Sequence, residues 1–250
     1  MVLVVLIFLL VVLFFLLKKE GNIEKFKNSL NVSCLILSYN RPHNIKKSIE
    51  DILKIQYIKE IVILNGHKDY KVNFNNPKIK SIDDWDDNDK YFLLRRYKNV
   101  NYCKYDNILL LDDDLYPTKE LMNNFVNNYV LDKDNIYGSY KRLCNSKGYF
   151  TKSKKYNYIL PGLCLTSKKV INNIWENIKK NKKFMNLVIE QKGNCEDLLF
   201  NYEFNKIYKK NPKYIKGEFI SLDKGNGFYT GDTKKHLEIR NNFCKQINKS

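Results

Sequence analysis

Three consecutive carboxylates, Asp112, Asp113 and Asp114, follow the apolar run from Asn107 to Leu111. Such a run reads as a buried strand, so the acids stand at its carboxyl end, where ligands gather in open α/β sheets. Adjacent negative charges repel unless a positive charge sits beside them. In an extended chain alternate residues point the same way, which predicts Asp112 and Asp114 on one face and Asp113 on another. A hard divalent cation, Mg²⁺ or Mn²⁺, takes one or two carboxylates and fills its remaining positions with water and substrate phosphates. The triplet therefore reads as half of a metal site whose other half is a diphosphate. A metal there would neutralise charge growing on a departing diphosphate, an effect of several kcal/mol in general.

Two other acidic stretches have plainer uses. In Asn194-Cys195-Glu196-Asp197, Asn194 is expected to cap a helix whose positive end favours the two acids. In residues 83–89 (DDWDDND) the crowded carboxylates are expected to face water.

The elements that must hold these residues have clear signals. Val32, Cys34, Leu35, Ile36 and Leu37 form a short strand broken by Ser38-Tyr39-Asn40-Arg41-Pro42. Pro42 opens a helix with Ile45, Ile49, Ile52 and Leu53 at helical spacing. A second strand, Glu60 to Leu64, closes on Asn65-Gly66, and a third lies near Ile79 to Ile82. Strand, helix and strand at this spacing make a βαβ unit, hence an α/β domain with a mainly parallel central sheet. Helical character follows at Tyr91 to Tyr97, and a helix capped by Thr118 carries Leu121, Met122, Phe125, Val126, Tyr129 and Val130 on one face. Tyr156 to Leu165 is strand-like around Pro161-Gly162, and Val170, Ile171, Ile174, Trp175 and Ile178 line a further amphipathic helix.

Residues 1–17 (MVLVVLIFLLVVLFFLL) hold no polar side chain. As a helix they would span about 25 Å, the short end of what crosses a bilayer. They are expected to be an uncleaved transmembrane anchor, since no small-x-small cleavage site follows; residues 18–31 read as a stem and 32–250 as the catalytic domain. Lysines after the span favour a cytosolic domain by the positive-inside rule, so the residues alone leave orientation open. The chain carries 44 basic against 27 acidic residues, net +17, yet only five of the basic residues are Arg. Arg carries most base and phosphate readout, and the lysines are scattered, so no nucleic acid partner is expected. A field of this sign attracts anionic substrates and anionic lipid headgroups.

Four segments in order resemble the exostosin-like glycosyltransferases of the GT64 type: Leu37 to Arg41, Ile61 to Asn65, Leu109 to Leu115 and Asn194 to Asn201. The resemblance implies a single GT-A-like nucleotide-sugar-binding domain and a metal-dependent, retaining transfer from a UDP-sugar such as UDP-N-acetylhexosamine to a hydroxyl of a glycan or glycoprotein. It implies that Asn40, Arg41 and Asn65 hold the nucleoside, with Arg96, Asp112 and Asp113 at the donor. It makes Asp114, with Asp112, the metal ligand for Mn²⁺ or Mg²⁺. It places Asp197, supported by Glu196, beside the anomeric centre, and brings Arg240 to the diphosphate. It further pairs Cys195 with Cys244, which would put the domain in an oxidising lumen of an endoplasmic-reticulum or Golgi-type membrane. Cys34 and Cys164, in apolar runs, are expected to be buried thiols. Two alternatives stand beside this reading: an inverting transferase on a related scaffold, and a membrane-tethered module that binds polyanions without catalysis.

Overall fold

The computed structural model describes Gly21, Glu24, Lys27 and residues 29–69, 73–223 and 233–249. The expected membrane segment lies outside these, and among the described residues no helix is long and apolar enough to cross a membrane. Contacts divide the chain at Leu30, and everything below concerns the unit Asn31–Ser250.

Apolar runs flanked by turn residues become strands covered on both faces. Strands β1 (Val32–Ser38), β2 (Ile58–Asn65), β3 (Ile79–Asp83) and β4 (Asn107–Asp112) lie parallel in the order β3-β2-β1-β4. A short hairpin-like strand, β5 (Leu115–Pro117), leaves the sheet after β4. The sheet continues through β6 (Tyr137–Gly138), while β7 (Lys141–Asn145), β8 (Gly148–Phe150) and β9 (Tyr158–Ile159) form a separate three-stranded sheet. Strand β10 (Leu163–Ser167) runs antiparallel between β4 and β6, and β11 (Lys213–Tyr214) closes the far edge parallel to β6. A last strand, β12 (Phe219–Ser221), pairs with β5. The central sheet is thus mixed but mainly parallel, as the βαβ pattern predicts.

Helices α1 (Pro42–Leu53), α2 (Trp85–Tyr91), α3 (Arg95–Lys98), α4 (Lys119–Tyr129), α5 (Lys168–Lys180), α6 (Lys182–Glu190), α7 (Glu196–Tyr208) and α8 (Thr233–Ile247), with 3-10 turns at Phe92–Leu94 and Val100–Tyr102, complete the described elements. Pro42 stands in the first turn of α1, and the Thr118 hydroxyl accepts from the Leu121 N–H at the start of α4, both as expected. One face of the sheet buries Leu35, Leu37, Val62, Leu64, Ile108 and Leu110 in a core shared with Val170, Ile171 and Ile174 of α5 and Leu198, Leu199 and Phe200 of α7. Cys34 and Cys164 are buried free thiols, as the sequence predicts, and Cys164 lies within this core.

Register aligns the carboxyl ends of the parallel strands. Ser38 faces Asn65, Asn65 faces Asp83, and Leu37 faces Asp112. One guanidinium ties this edge together. Arg95 donates to the carbonyls of Ser38 (3.0 Å) and Leu64 (3.1 Å) and pairs with Asp84. It is 1 % exposed. The expectation of a solvated acidic loop therefore fails at Asp84: the stretch folds into α2, Asp84 turns inward to the buried cation, and Asp87 pairs with Lys98. Desolvation costs less than leaving Arg95 without an anion. Gly66 is required beside it, since a Cβ there would stand 2.6 Å from Arg95 Nη2.

Removing one partner of a buried pair costs on the order of 3–5 kcal/mol. Arg95→Met is therefore expected to lower unfolding free energy by about that amount, read from the urea midpoint; a shift comparable to a surface substitution would refute the role assigned to Arg95.

Candidate active site

The acidic triplet does not continue as a strand. β4 ends at Asp112, and Asp113 and Asp114 occupy the turn before β5. The alternation that would set Asp112 and Asp114 on one face needs extended chain, so it is lost here. Instead Asp113 and Asp114 both meet Arg41, whose Nη1 lies 3.1 Å from Asp114 Oδ2, while Asp112 turns to Arg96, 2.6 Å away. Asp112 keeps 41 % of its side chain exposed against 4 % for Asp113 and 17 % for Asp114, which makes it the member of the triplet most open to a ligand. Burial pushes the Asp113 carboxyl up to about 6 against the pull of Arg41.

From Asp112 the charges alternate across the site. Arg96, 2 % exposed, also donates to the Pro161 carbonyl (3.3 Å) and lies 3.9 Å from Glu196. The Tyr97 hydroxyl donates to Glu196, and its ring stacks on Phe200 with centroids 4.4 Å apart. Burial raises the Glu196 carboxyl well above the ordinary range, with Arg96 opposing and Asp197 adding to the rise. Beyond it, Arg240 of α8 pairs with Asp197 and reaches Asn194 Oδ1 at 3.4 Å.

Asn194 is thus not the expected cap. Cys195 takes that position in a left-handed conformation (φ 74°), with no side-chain cap bond, and the Asn194 side chain faces Arg240. The expected Cys195–Cys244 bridge is also overturned: Cys244 is bonded to Cys144, and Cys195 is a buried free thiol. Cys144 lies in β7, against which the end of α8 packs, so the bridge still pins that helix, but to a different element.

A cavity of about 150 Å³ opens among Leu93, Asp112, Pro161, Gly162, Asn194, Glu196, Asp197, His236 and Arg240, with Leu160 and Gly193 completing its wall. Of the residues the sequence singles out, Asp112, Glu196, Asp197 and Arg240 line it, and Arg96 stands behind Asp112. Arg41, Asp113 and Asp114 form an adjoining group. Asn40 follows β1, with its side-chain oxygen buried and unpartnered. Asn65 is 1 % exposed, its amide donating to Asp83 at the end of β3 and its oxygen accepting from the His67 N–H. Gly162 brings the opposite wall up to Asp112: its carbonyl accepts from the Asp112 N–H at 2.9 Å, and a Cβ would collide with the carboxylate.

Residues 32–249 match the model of the glycosyl transferase family 64 domain. The chain belongs to this family. No curated protein sequence matches it. One solved structure that it is similar to is GalNAc-T7 with UDP, GalNAc and Mn²⁺, at 12% identity and a TM-score of 0.45, covering 58% of this chain and 36% of that one. Membership of family 64 supports the reading of the chain as an enzyme. Sequence reasoning missed Arg95 and Tyr97 as parts of this site. The Arg95-Arg96 doublet was the available signal, standing out in a chain with five arginines.

A buried carboxyl that keeps its proton beyond the ordinary range makes the native state bind more protons than the unfolded one. Stability from Glu196 is then expected to fall as pH rises from about 4.3 towards its raised value, and to be unaffected below that window. Glu196→Gln, which still accepts from Tyr97, is expected to flatten the slope; urea midpoints at pH 5 and 8 check this, and identical slopes would contradict it.

Proposed function

We propose that this enzyme transfers N-acetylhexosamine from a UDP-sugar to a hydroxyl of a glycan or glycoprotein, with retention of anomeric configuration and with a divalent metal. The observation that carries the proposal is the convergence of Asp112, Asp197 and Arg240 on one cavity in a chain of this family.

Among the described residues no group of three ligating side chains holds a metal unaided. The chemistry of the triplet nonetheless suits Mn²⁺ or Mg²⁺: Asp112 is open to the cavity with one oxygen committed to Arg96, and Asp114, paired with Arg41 in the adjoining group, would supply the second carboxylate. Two carboxylates suffice for such an ion when water and phosphates supply the rest. Bound by them, it would offset the charge of the leaving diphosphate.

The protein's own groups do the remainder. The orphaned Asn40 oxygen beside the end of β1 suits a nucleoside donor group, and Arg41 holds the acidic turn closed beneath it. Arg240 anchors Asp197 through Oδ2, leaving Oδ1 buried without a partner. That oxygen is suited to stabilise positive charge on the anomeric carbon as the sugar–phosphate bond breaks. The incoming hydroxyl then bonds to carbon on the face the diphosphate leaves, and its proton passes to a diphosphate oxygen, so no covalent sugar–enzyme intermediate is required. An N-terminal anchor in residues 1–17 would hold the domain in the lumen of an endoplasmic-reticulum or Golgi-type membrane. The Cys144–Cys244 bridge supports an oxidising compartment.

With UDP-N-acetylhexosamine and Mn²⁺, turnover is expected to fall on the order of 100-fold in Asp197→Asn, per folded molecule, with UDP affinity retained. Asp114→Ala is expected to abolish metal-dependent UDP binding. Undiminished turnover in both variants would refute the proposal, and product of inverted configuration would refute retention.

A further inference from the structure

Two short motifs have no part in the cavity. Asn31-Val32-Ser33 and Asn248-Lys249-Ser250 both carry the Asn-x-Ser pattern whose asparagine amide accepts a sugar. The pattern alone does not choose between them, but their surroundings in the fold do. Asn31 stands exposed at the amino end of β1, one residue before the buried Val32 and Ser33. Its carbonyl accepts from the Asn107 amide at 2.7 Å, whereas its own side-chain amide donates to nothing among the described residues. The register sets Val32 against Asn107 and Leu37 against Asp112, so Asn31 lies at the far end of β1 from the carboxylates, roughly 20 Å away at strand rise. A sugar attached there leaves the cavity clear.

The motif also needs the Ser33 hydroxyl. In the finished fold that hydroxyl is occupied: it donates to Glu60 and accepts from the Tyr105 N–H at 3.0 Å. Both partners lie later in the chain, 27 and 72 residues on, so an enzyme that meets the chain amino end first finds the hydroxyl unengaged. Asn248 is the reverse case. Its amide donates to the Cys244 carbonyl at 2.8 Å and to the Cys144 sulfur at 3.8 Å. Both of these partners precede it, so they are at hand as soon as it is. An attached sugar leaves the amide a single hydrogen, which would forfeit one of the two bonds beside the bridge that holds α8 to β7.

We propose that Asn31 carries an N-linked glycan and that Asn248 does not. The co-reactant is a lipid-linked oligosaccharide diphosphate. Its anomeric carbon–oxygen bond breaks, a bond forms from that carbon to Asn31 Nδ2, and the proton lost from nitrogen leaves with the lipid diphosphate. The inference rests on the lumenal placement proposed above, since that is where such a donor meets a chain.

The test expresses the full chain in eukaryotic cells that transfer such glycans and compares its mass before and after treatment with a peptide N-glycosidase. A single loss of mass is expected, abolished in Asn31→Gln and kept in Asn248→Gln. Thr151→Asn, in the exposed bend after β8, places a third motif ahead of Lys152 and Ser153 and reports the compartment independently. Glycan at position 151 with none at Asn31 would overturn the assignment alone. Glycan at neither position would overturn it together with the lumenal placement. A loss of mass that depends on Asn248 would overturn the choice between the two motifs.

Discussion

A guanidinium removed from water must find negative charge inside the protein, and this requirement organises the site. Arg41, Arg95, Arg96 and Arg240 are each placed against a carboxylate that the strand ends or α7 provide. The sheet supplies the geometry, because parallel strands in register bring Ser38, Asn65, Asp83 and Asp112 to a common edge. The arginines supply the countercharge that lets so many acids share it. Neither half is stable without the other, since an isolated buried ion is costly on either side.

This arrangement has a chemical corollary. Side chains locked in ion pairs do not reorganise when charge develops nearby, and preorganised dipoles and charges are what transition states of group transfer need. Arg240 fixes one oxygen of Asp197 and leaves the other buried and open, while Arg96 fixes one oxygen of Asp112 and leaves the residue exposed to the cavity. Glu196 sits between them with Tyr97, its burial favouring the protonated form and so sparing the cluster one negative charge.

The parallel half of the sheet was legible in the sequence because it rests on local signals: apolar runs of strand length, Pro42 at a helix start, Thr118 at a cap. Asp112 stood out because it ends an apolar strand, whereas Asp197 and Arg240 entered only through the resemblance to the GT64-type enzymes, since by residue type alone the Glu196-Asp197 pair reads as the start of a helix. What stayed hidden depends on pairing between distant segments. Asp84 looked like a water-facing acid because nothing near it in sequence announces Arg95 overhead. Cys144 and Cys195 are both compatible with Cys244 as far as composition goes, and only the packing of α8 on β7 and β8 chooses between them. The expected alternation at Asp112 to Asp114 failed for a local reason, the turn that follows Asp112, which no side-chain pattern marks.

The bridge from Cys144 to Cys244 falls one helical turn after Arg240, on the helix that supplies the last wall of the cavity. During synthesis the ribosome delivers the sheet, the acidic triplet and α7 well before that helix emerges. Until then Asp197 has no cation and the cavity no roof. A nascent chain can therefore assemble the carboxyl edge of its sheet early, yet the cavity gains its last wall only when translation has passed residue 244 and a thiol oxidant has formed the bridge.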